Sequence, residues 1–382
     1  MNRLGYLDGL RGVAALWVVL HHITMLAAGP AQLRYHGRVA VELFMILSGM
    51  LMYYHFGRVP PGGAVGHWKG FFVRRFFRIA PLYYASLVLV YAIAPQMGRW
   101  REAMAGFNPE AATEPTRFFI PDLAANALAH ATFLFGFLPR YAYSTPLPDW
   151  SIGLEMQFYG FFPLILLVLS GIGLLRGTLL LTALAMVVNR TAFAQSFPLP
   201  TFLPLALHSF LTGILLGHLI LHWDRTSPAR IALLLAVGLA LSGLSGVRWK
   251  YVLAVTAGVA FVAFHARLRP GVVRTVGTWC DRILSSEPMR FLGDASYGVY
   301  LTHVLVLTPL ITGLFSIGWI DRSRPWPTFL IVSGLSLPVI YLLGWGLYRT
   351  IETWGIQRGK AVLKSWKEPA SRPAATASSA GS

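Results

Sequence analysis

The sequence predicts an all-α fold: a polytopic membrane helix bundle of about ten transmembrane helices, with both termini in the cytoplasm. Three observations carry this. Hydrophobic residues make up 55% of the 382 and charged residues only 12%, about half the charge share of a soluble domain. Apolar runs long enough to cross a bilayer recur from one end of the chain to the other. The Lys and Arg residues fall mainly between those runs, where topology needs them.

The same distribution explains the net charge of +17 without nucleic acid, which is not expected as a partner. A single cysteine, Cys280, rules out an internal disulfide and a Cys-based metal site, and no metal is expected. No phosphate-binding Gly-rich loop, zinc spacing or nucleophile elbow occurs. The N-terminal stretch does not read as a signal peptide, because Asp8 spoils a basic leader and two histidines interrupt the apolar run.

Taken in order, the apolar runs lie at about 12–29, 39–56, 79–95, 151–170, 175–190, 203–221, 230–246, 250–266, 291–315 and 327–349. A further piece, about 123–138, contains Asn126 and His130 and is short for a crossing. Charge decides its status. With ten spans, roughly two of every three of the 32 Lys and Arg face the cytoplasm. An eleventh span would reverse everything after it and leave the minority there. The 123–138 piece is therefore expected to be an outer re-entrant or interfacial segment. Residues 1–367 read as one membrane domain, and 368–382, rich in Pro, Ala and Ser, as a disordered tail.

Five constellations carry polar groups into this apolar background. The first is LDGLRGVAALWVVLHH, Leu7 to His22. Arg11 and His22 are eleven positions apart, so a helix sets them on one face, roughly 16 Å apart along its axis. Ionisable groups at such depth face a protein interior or a wet cavity. A neutral imidazole there can accept a proton, so His22 can serve as a general base. His21 is turned about 100° away from that face. The simpler reading is a helix anchor, with Asp8 and Arg11 paired at the interface.

The second is FFVRRFFRIAPLYY, in which Arg75 and Arg78 stand one turn apart at the mouth of the third span. They are either snorkelling topology anchors or an anion site, since guanidinium forks grip phosphates bidentately. The third is PDWSIGLEMQFYGFFP, where Glu155 lies inside an apolar segment and needs a partner from across the bundle. The fourth is Glu42, near the expected outer end of the second span, where solvation is the simpler reading. The fifth is SYGVYLTHV. Its Ser296, Tyr297, Tyr300 and His303 read mainly as helix–helix hydrogen bonding.

Together these pieces resemble the integral-membrane acyltransferase-3 family, which includes bacterial O-antigen and exopolysaccharide O-acetyltransferases. A pattern like LDGLRxxAxxxVxxxH is matched by Leu7 to His22. One like VxLFFxLSGFL is matched by Val41 to Leu51, with Met45 and Met50 as departures. An Arg-x-x-Arg before the third span is matched by Arg75 and Arg78. WSLxxEEQFY is matched by Trp150 to Tyr159, with Glu155 as its first Glu and Met156 in place of the second. SYxxYLxH is matched by Ser296 to His303. Some members carry an extracytoplasmic esterase-like domain, for which the stretch after the last span is expected to be too short.

The resemblance implies transfer of an acyl group, usually acetyl, from cytoplasmic acyl-CoA to a hydroxyl of a cell-surface glycan or lipid-linked sugar. It places the chain in the bacterial cytoplasmic (inner) membrane. Acetyl-CoA is then the expected donor, with Arg11, Arg75 and Arg78 toward its phosphates. His22 acts as base or acyl relay, and Glu155 supports that chemistry. The residues leave two alternatives open: a small-molecule acceptor such as an antibiotic, or a transporter using the same buried ions without group transfer. The oligomeric state is not readable.

Overall fold

A computed structural model describes residues 4–33, 37–57 and 65–366, and every regular element among them is helical. The expected tail, 368–382, lies outside the described residues. The helices are α1 (Gly5–Leu26), α2 (Gly37–Phe56), α3 (Val65–Phe107), α4 (Leu123–Ala131), α5 (Trp150–Gly171), α6 (Leu174–Val188) and the four-residue α7 (Ala192–Gln195). They continue with α8 (Leu207–His222), α9 (Pro228–Ser242), α10 (Trp249–Phe264), α11 (Val272–Leu284), α12 (Glu287–Ser316), α13 (Pro325–Leu347) and α14 (Thr353–Ser365).

Among the described residues, eight helices are long and apolar enough to cross a membrane: α1, α2, α3, α5, α9, α10, α12 and α13. The two other expected spans, at 175–190 and 203–221, form the shorter α6 and α8. At about 23 Å each they fall short of a ~30 Å hydrocarbon core, a mismatch that local thinning of the bilayer can absorb. The third span is the largest departure from expectation. Instead of 79–95 it is part of one 43-residue helix, about 65 Å long, whose ends stand clear of the hydrocarbon.

Leu4 and Leu7 at the start of α1, and Tyr348 and Ile356 at and before the start of α14, line one cavity. Both described ends of the chain therefore sit at the same end of the bundle, which requires an even number of crossings. The 123–138 piece does not cross. Its helix, α4, has nine residues, about 14 Å, and the chain turns out of it at Phe133, whose φ is +59°. The multi-pass helical membrane architecture follows from these helices together.

In lipid no hydrophobic force drives helices together, so close contact between small residues takes over. At the α2–α8 crossing, a Cβ on Gly213 would lie 2.0 Å from the Ile46 carbonyl oxygen, and one on Gly49 2.2 Å from that of Phe210. At the α1–α12 crossing, a Cβ on Gly293 would lie 2.3 Å from the Asp8 oxygen. These contacts fix α1, with its Arg11 and His22, against α12 with its Tyr300 and His303. The opposite, lipid-facing side carries exposed apolar residues such as Leu164, Leu179, Val187, Leu330 and Leu342.

Residues 108–149 form a cap over the His22 end. Asn108 Nδ2 donates to the Met25 carbonyl at 2.8 Å, tying the end of α3 to the end of α1. Below it, the Tyr83 hydroxyl meets His130 Nδ1 at 2.8 Å and donates to Asp149 at 3.1 Å. His130 is completely buried and Asp149 almost so. Tertiary bonding thus holds the polar residues that make 123–138 a poor span.

Candidate functional site

α1 delivers Arg11 to one end of the bundle and His22 toward the other, as the helical spacing requires. Each opens into its own cavity. The Arg11 cavity is also lined by Arg75 and Arg78 from α3, Ser48 from α2, and Glu155 and Tyr159 from α5. It continues toward the chain ends past Asp8, Asp294 and Glu352. The three arginines singled out in the sequence therefore meet in one place.

Glu155 finds its partners across the bundle. Ser48 Oγ donates to it at 3.2 Å, from a residue 107 positions away. The Tyr159 hydroxyl, one turn along α5, donates to the same carboxylate oxygen. The Arg75 guanidinium lies 5.5 Å from the centre of the Tyr159 ring. Tyr159 thereby links the carboxylate to the arginines, a cation–π contact on one side and a hydrogen bond on the other.

His22 lines the second cavity, with His21, Arg38, Arg101, Arg117, Tyr143 and Trp150 among its walls. The structure does not bring Glu155 into this cavity with His22. It places Glu155 with the arginines instead. Tyr300 borders both cavities, and its hydroxyl is 2.7 Å from Ser151 Oγ. Trp150 faces one cavity and its neighbour Ser151 the other. The start of α5 and Tyr300 of α12 thus form the partition between them.

The partner that sequence reasoning undervalued is His303. Its Nδ1 lies 2.7 Å from the Tyr300 carbonyl and 3.1 Å from that of Val299. Carbonyl oxygens only accept, so the neutral ring carries its proton on Nδ1 and its Nε2 is an acceptor. That Nε2 faces His22 Nδ1 at 3.2 Å, and His22 Nδ1 also lies 2.9 Å from the Val18 carbonyl. Two acceptors around one nitrogen fix its proton there. His22 Nε2 is then the atom with the free lone pair, which is what a base or nucleophile needs. The i,i+4 bonding of each ring to its own helix is readable from sequence, but the meeting of two rings 281 positions apart is not.

Two other expectations change. Glu42 is not solvated but buried, accepting from Ser209 at 3.0 Å and Ser245 at 2.6 Å, with His208 Nε2 at 3.4 Å and Arg38 at 4.0 Å. Loop and α8 residues fold over it, which an outer-end position did not foretell. His21 is turned from His22 but still borders the same cavity, packed on Gly37, where a Cβ would lie 2.2 Å from the His21 ring.

Arg101 and Arg117, which carry no sequence motif of their own, are both buried. Arg117 is held through all three of its nitrogens. Its Nε and Nη2 donate to the Thr145 carbonyl at 3.1 and 2.7 Å, its Nη1 donates to Thr113 at 3.1 Å, and its guanidinium stacks 3.5 Å from the Tyr143 ring centre. Burial pushes this guanidinium down from its ordinary value, opposed by Tyr143 and Asp149.

Residues 4–345 match the acyltransferase-3 family, described as an acyltransferase domain. Among curated proteins, the chain is 23% identical over 331 residues to the peptidoglycan O-acetyltransferase OatA of Listeria monocytogenes, covering 79% of this chain and 49% of that one. It is 38% identical over 92 residues to protein 2 in the picA locus of Rhizobium radiobacter, 24% of this chain and 46% of the other. It is 27% identical over 194 residues to the regulator of hypoxia-inducible factor 1 of Caenorhabditis elegans, 43% of this chain and 34% of the other. The chain thus spans about half or less of the length of these relatives. No solved structure matches it.

Proposed function

Because this chain belongs to the acyltransferase-3 family, we propose that it is a membrane O-acyltransferase. It takes an acetyl group from acetyl-CoA on the cytoplasmic side and passes it to a hydroxyl of a cell-surface glycan or lipid-linked sugar. The observation that carries this reading is the pair of cavities sharing Tyr300, one walled by three arginines and the other by His22. A small-molecule acceptor is a narrower use of the same geometry that no feature of the His22 cavity favours.

In this reading the phosphates of CoA sit on Arg11, Arg75 and Arg78 through charge-assisted bonds. The pantetheine arm runs inward past Tyr300 over a distance on the scale of the roughly 16 Å between Arg11 and His22. The acceptor hydroxyl enters the His22 cavity. His22 Nε2 takes the hydroxyl proton as the oxygen attacks the thioester carbonyl carbon. The tetrahedral intermediate collapses with rupture of the carbon–sulfur bond, and the CoA thiolate leaves and regains a proton from the imidazolium. The ester and free CoA are the products, and no other reactant is needed. Glu155 serves the donor side in this scheme, holding Tyr159 and through it Arg75.

The relative named as a peptidoglycan O-acetyltransferase supports acetyl as the group and a cell-wall glycan as the acceptor class. The test is mass spectrometry of surface and cell-wall glycans from a strain lacking the gene. Loss of O-acetyl groups is expected. An unchanged acyl content of those glycans would overturn the glycan reading.

A further inference from the structure

Arg101 stands out in the His22 cavity. It is only 8% exposed, it lines the cavity, and its Nε has no hydrogen-bond partner. The neighbouring cations differ from it. Arg117 spends its donors on Thr145 and Thr113, and Arg38 lies 4.0 Å from Glu42. Arg99, one turn-half away on the same helix, is exposed and held by Gln96 at 2.7 and 2.9 Å. Glu102 is exposed rather than turned into the cavity. Among the described residues lining the cavity there is no Asp or Glu.

A buried guanidinium without a counter-charge is costly, and removing the partner of a buried pair leaves that cost standing. The cost is recovered when a ligand brings the opposite charge, and the planar fork matches the two oxygens of a carboxylate or phosphate. The cavity is already cationic, which concentrates anions at its mouth.

We propose that the His22 cavity binds an oxyanion carried by the acceptor, a carboxylate or a phosphate, on Arg101. The acceptor is then an acidic sugar or a phosphorylated one rather than a neutral sugar. This deepens the transfer reading and rests on it for the identity of the ligand as acceptor. The binding itself is tested without any acyl donor. A role for Arg101 confined to the negative charge of the tetrahedral intermediate predicts no binding of a free anion in that state.

The test uses the purified full chain in lipid nanodiscs and the arginine reagent phenylglyoxal, with modification of each arginine followed by peptide mass spectrometry. Three probes are compared: inorganic phosphate, methyl glucuronide and neutral methyl glucoside. Arg101 is expected to react in the absence of probe. It should be protected saturably by phosphate, by glucuronide or by both, about tenfold at ten times the Kd by mass action. Methyl glucoside should not protect it, and Arg99 should be unaffected throughout. Protection by phosphate alone assigns a phosphorylated acceptor, and protection by glucuronide alone an acidic sugar. The proposal is overturned if neither anion slows Arg101 more than methyl glucoside does, or if Arg101 is inert without any probe. Failure of acetyl transfer in a separate assay would instead count against the transfer reading.

Discussion

The Tyr300 hydroxyl lies 2.7 Å from Ser151 Oγ, where α12 and the start of α5 stand between an arginine-walled cavity and a histidine-walled one. This bond sets α12 against the start of α5 at the depth where the proposed thioester would pass. Tyr300→Phe keeps the ring and removes the bond. A neutral hydrogen bond contributes about 0.5–1.5 kcal/mol, so a stability loss of that order is expected in thermal unfolding, with acetyl-CoA affinity unchanged by calorimetry. A drop in donor affinity as large as that of an arginine variant would mean that the hydroxyl holds the donor directly rather than tying α12 to α5.

The two adjacent histidines should not be equivalent. General base catalysis contributes about 10²–10⁴-fold, so His22→Ala should lose that much transfer while the protein stays in the membrane at its normal level. His21→Ala should be milder, because its ring packs on Gly37 rather than meeting His303. Equal losses in quantitative transfer assays would mean that the two rings play the same part.

His303 should act through His22. His303→Ala removes the acceptor facing His22 Nδ1 and leaves only the Val18 carbonyl. Transfer should fall with donor affinity intact, and His303→Gln, whose side-chain oxygen can accept, should recover part of it. If Ala and Gln behave alike, the acceptor at this position has no part in the reaction.

The topology has its own test. Reporters fused after Lys367 and within 267–290 should both give a cytoplasmic signal, because the start of α1 and the start of α14 border one cavity and basic residues cluster there. A periplasmic signal from both would reverse the orientation on which the donor assignment depends.

Close helix contact can be tested at Gly213. A Cβ there would lie 2.0 Å from the Ile46 oxygen, whereas at Gly160 it would meet nothing within 4 Å. Overpacking costs about 1–3 kcal/mol. Gly213→Ala should therefore reduce the amount of folded protein in detergent size-exclusion profiles, and Gly160→Ala should not.

Much of this was legible in the sequence because the bilayer imposes strong rules. Length and apolarity locate the spans, and charge separates 123–138 from the rest. Helical periodicity puts Arg11 and His22 on one face, and Arg75 with Arg78 one turn apart. What could not be read is what depends on contacts between distant helices. Glu155 required Ser48, 107 positions away, and proved to belong with the arginines rather than with His22. His303 required His22. Glu42 became buried only because α8 and the segment carrying Ser245 close over it. Arg101 carries no signal in the sequence, because α3 runs far past the apolar stretch that marks its span.

The division of labour between the two cavities is tested most directly by measuring acetyl-CoA binding and acetyl transfer side by side on the same purified variants. A charge-assisted bond contributes about 1.5–3 kcal/mol, so Arg78→Ala should weaken donor binding by roughly tenfold or more. Arg75→Lys should also be impaired, since an ammonium keeps the charge and loses the planar fork. His22→Ala should bind acetyl-CoA like the wild type and fail to transfer. If Arg75→Lys and Arg78→Ala bind acetyl-CoA normally while His22→Ala does not, the donor phosphates lie elsewhere and the assignment of the two cavities is wrong.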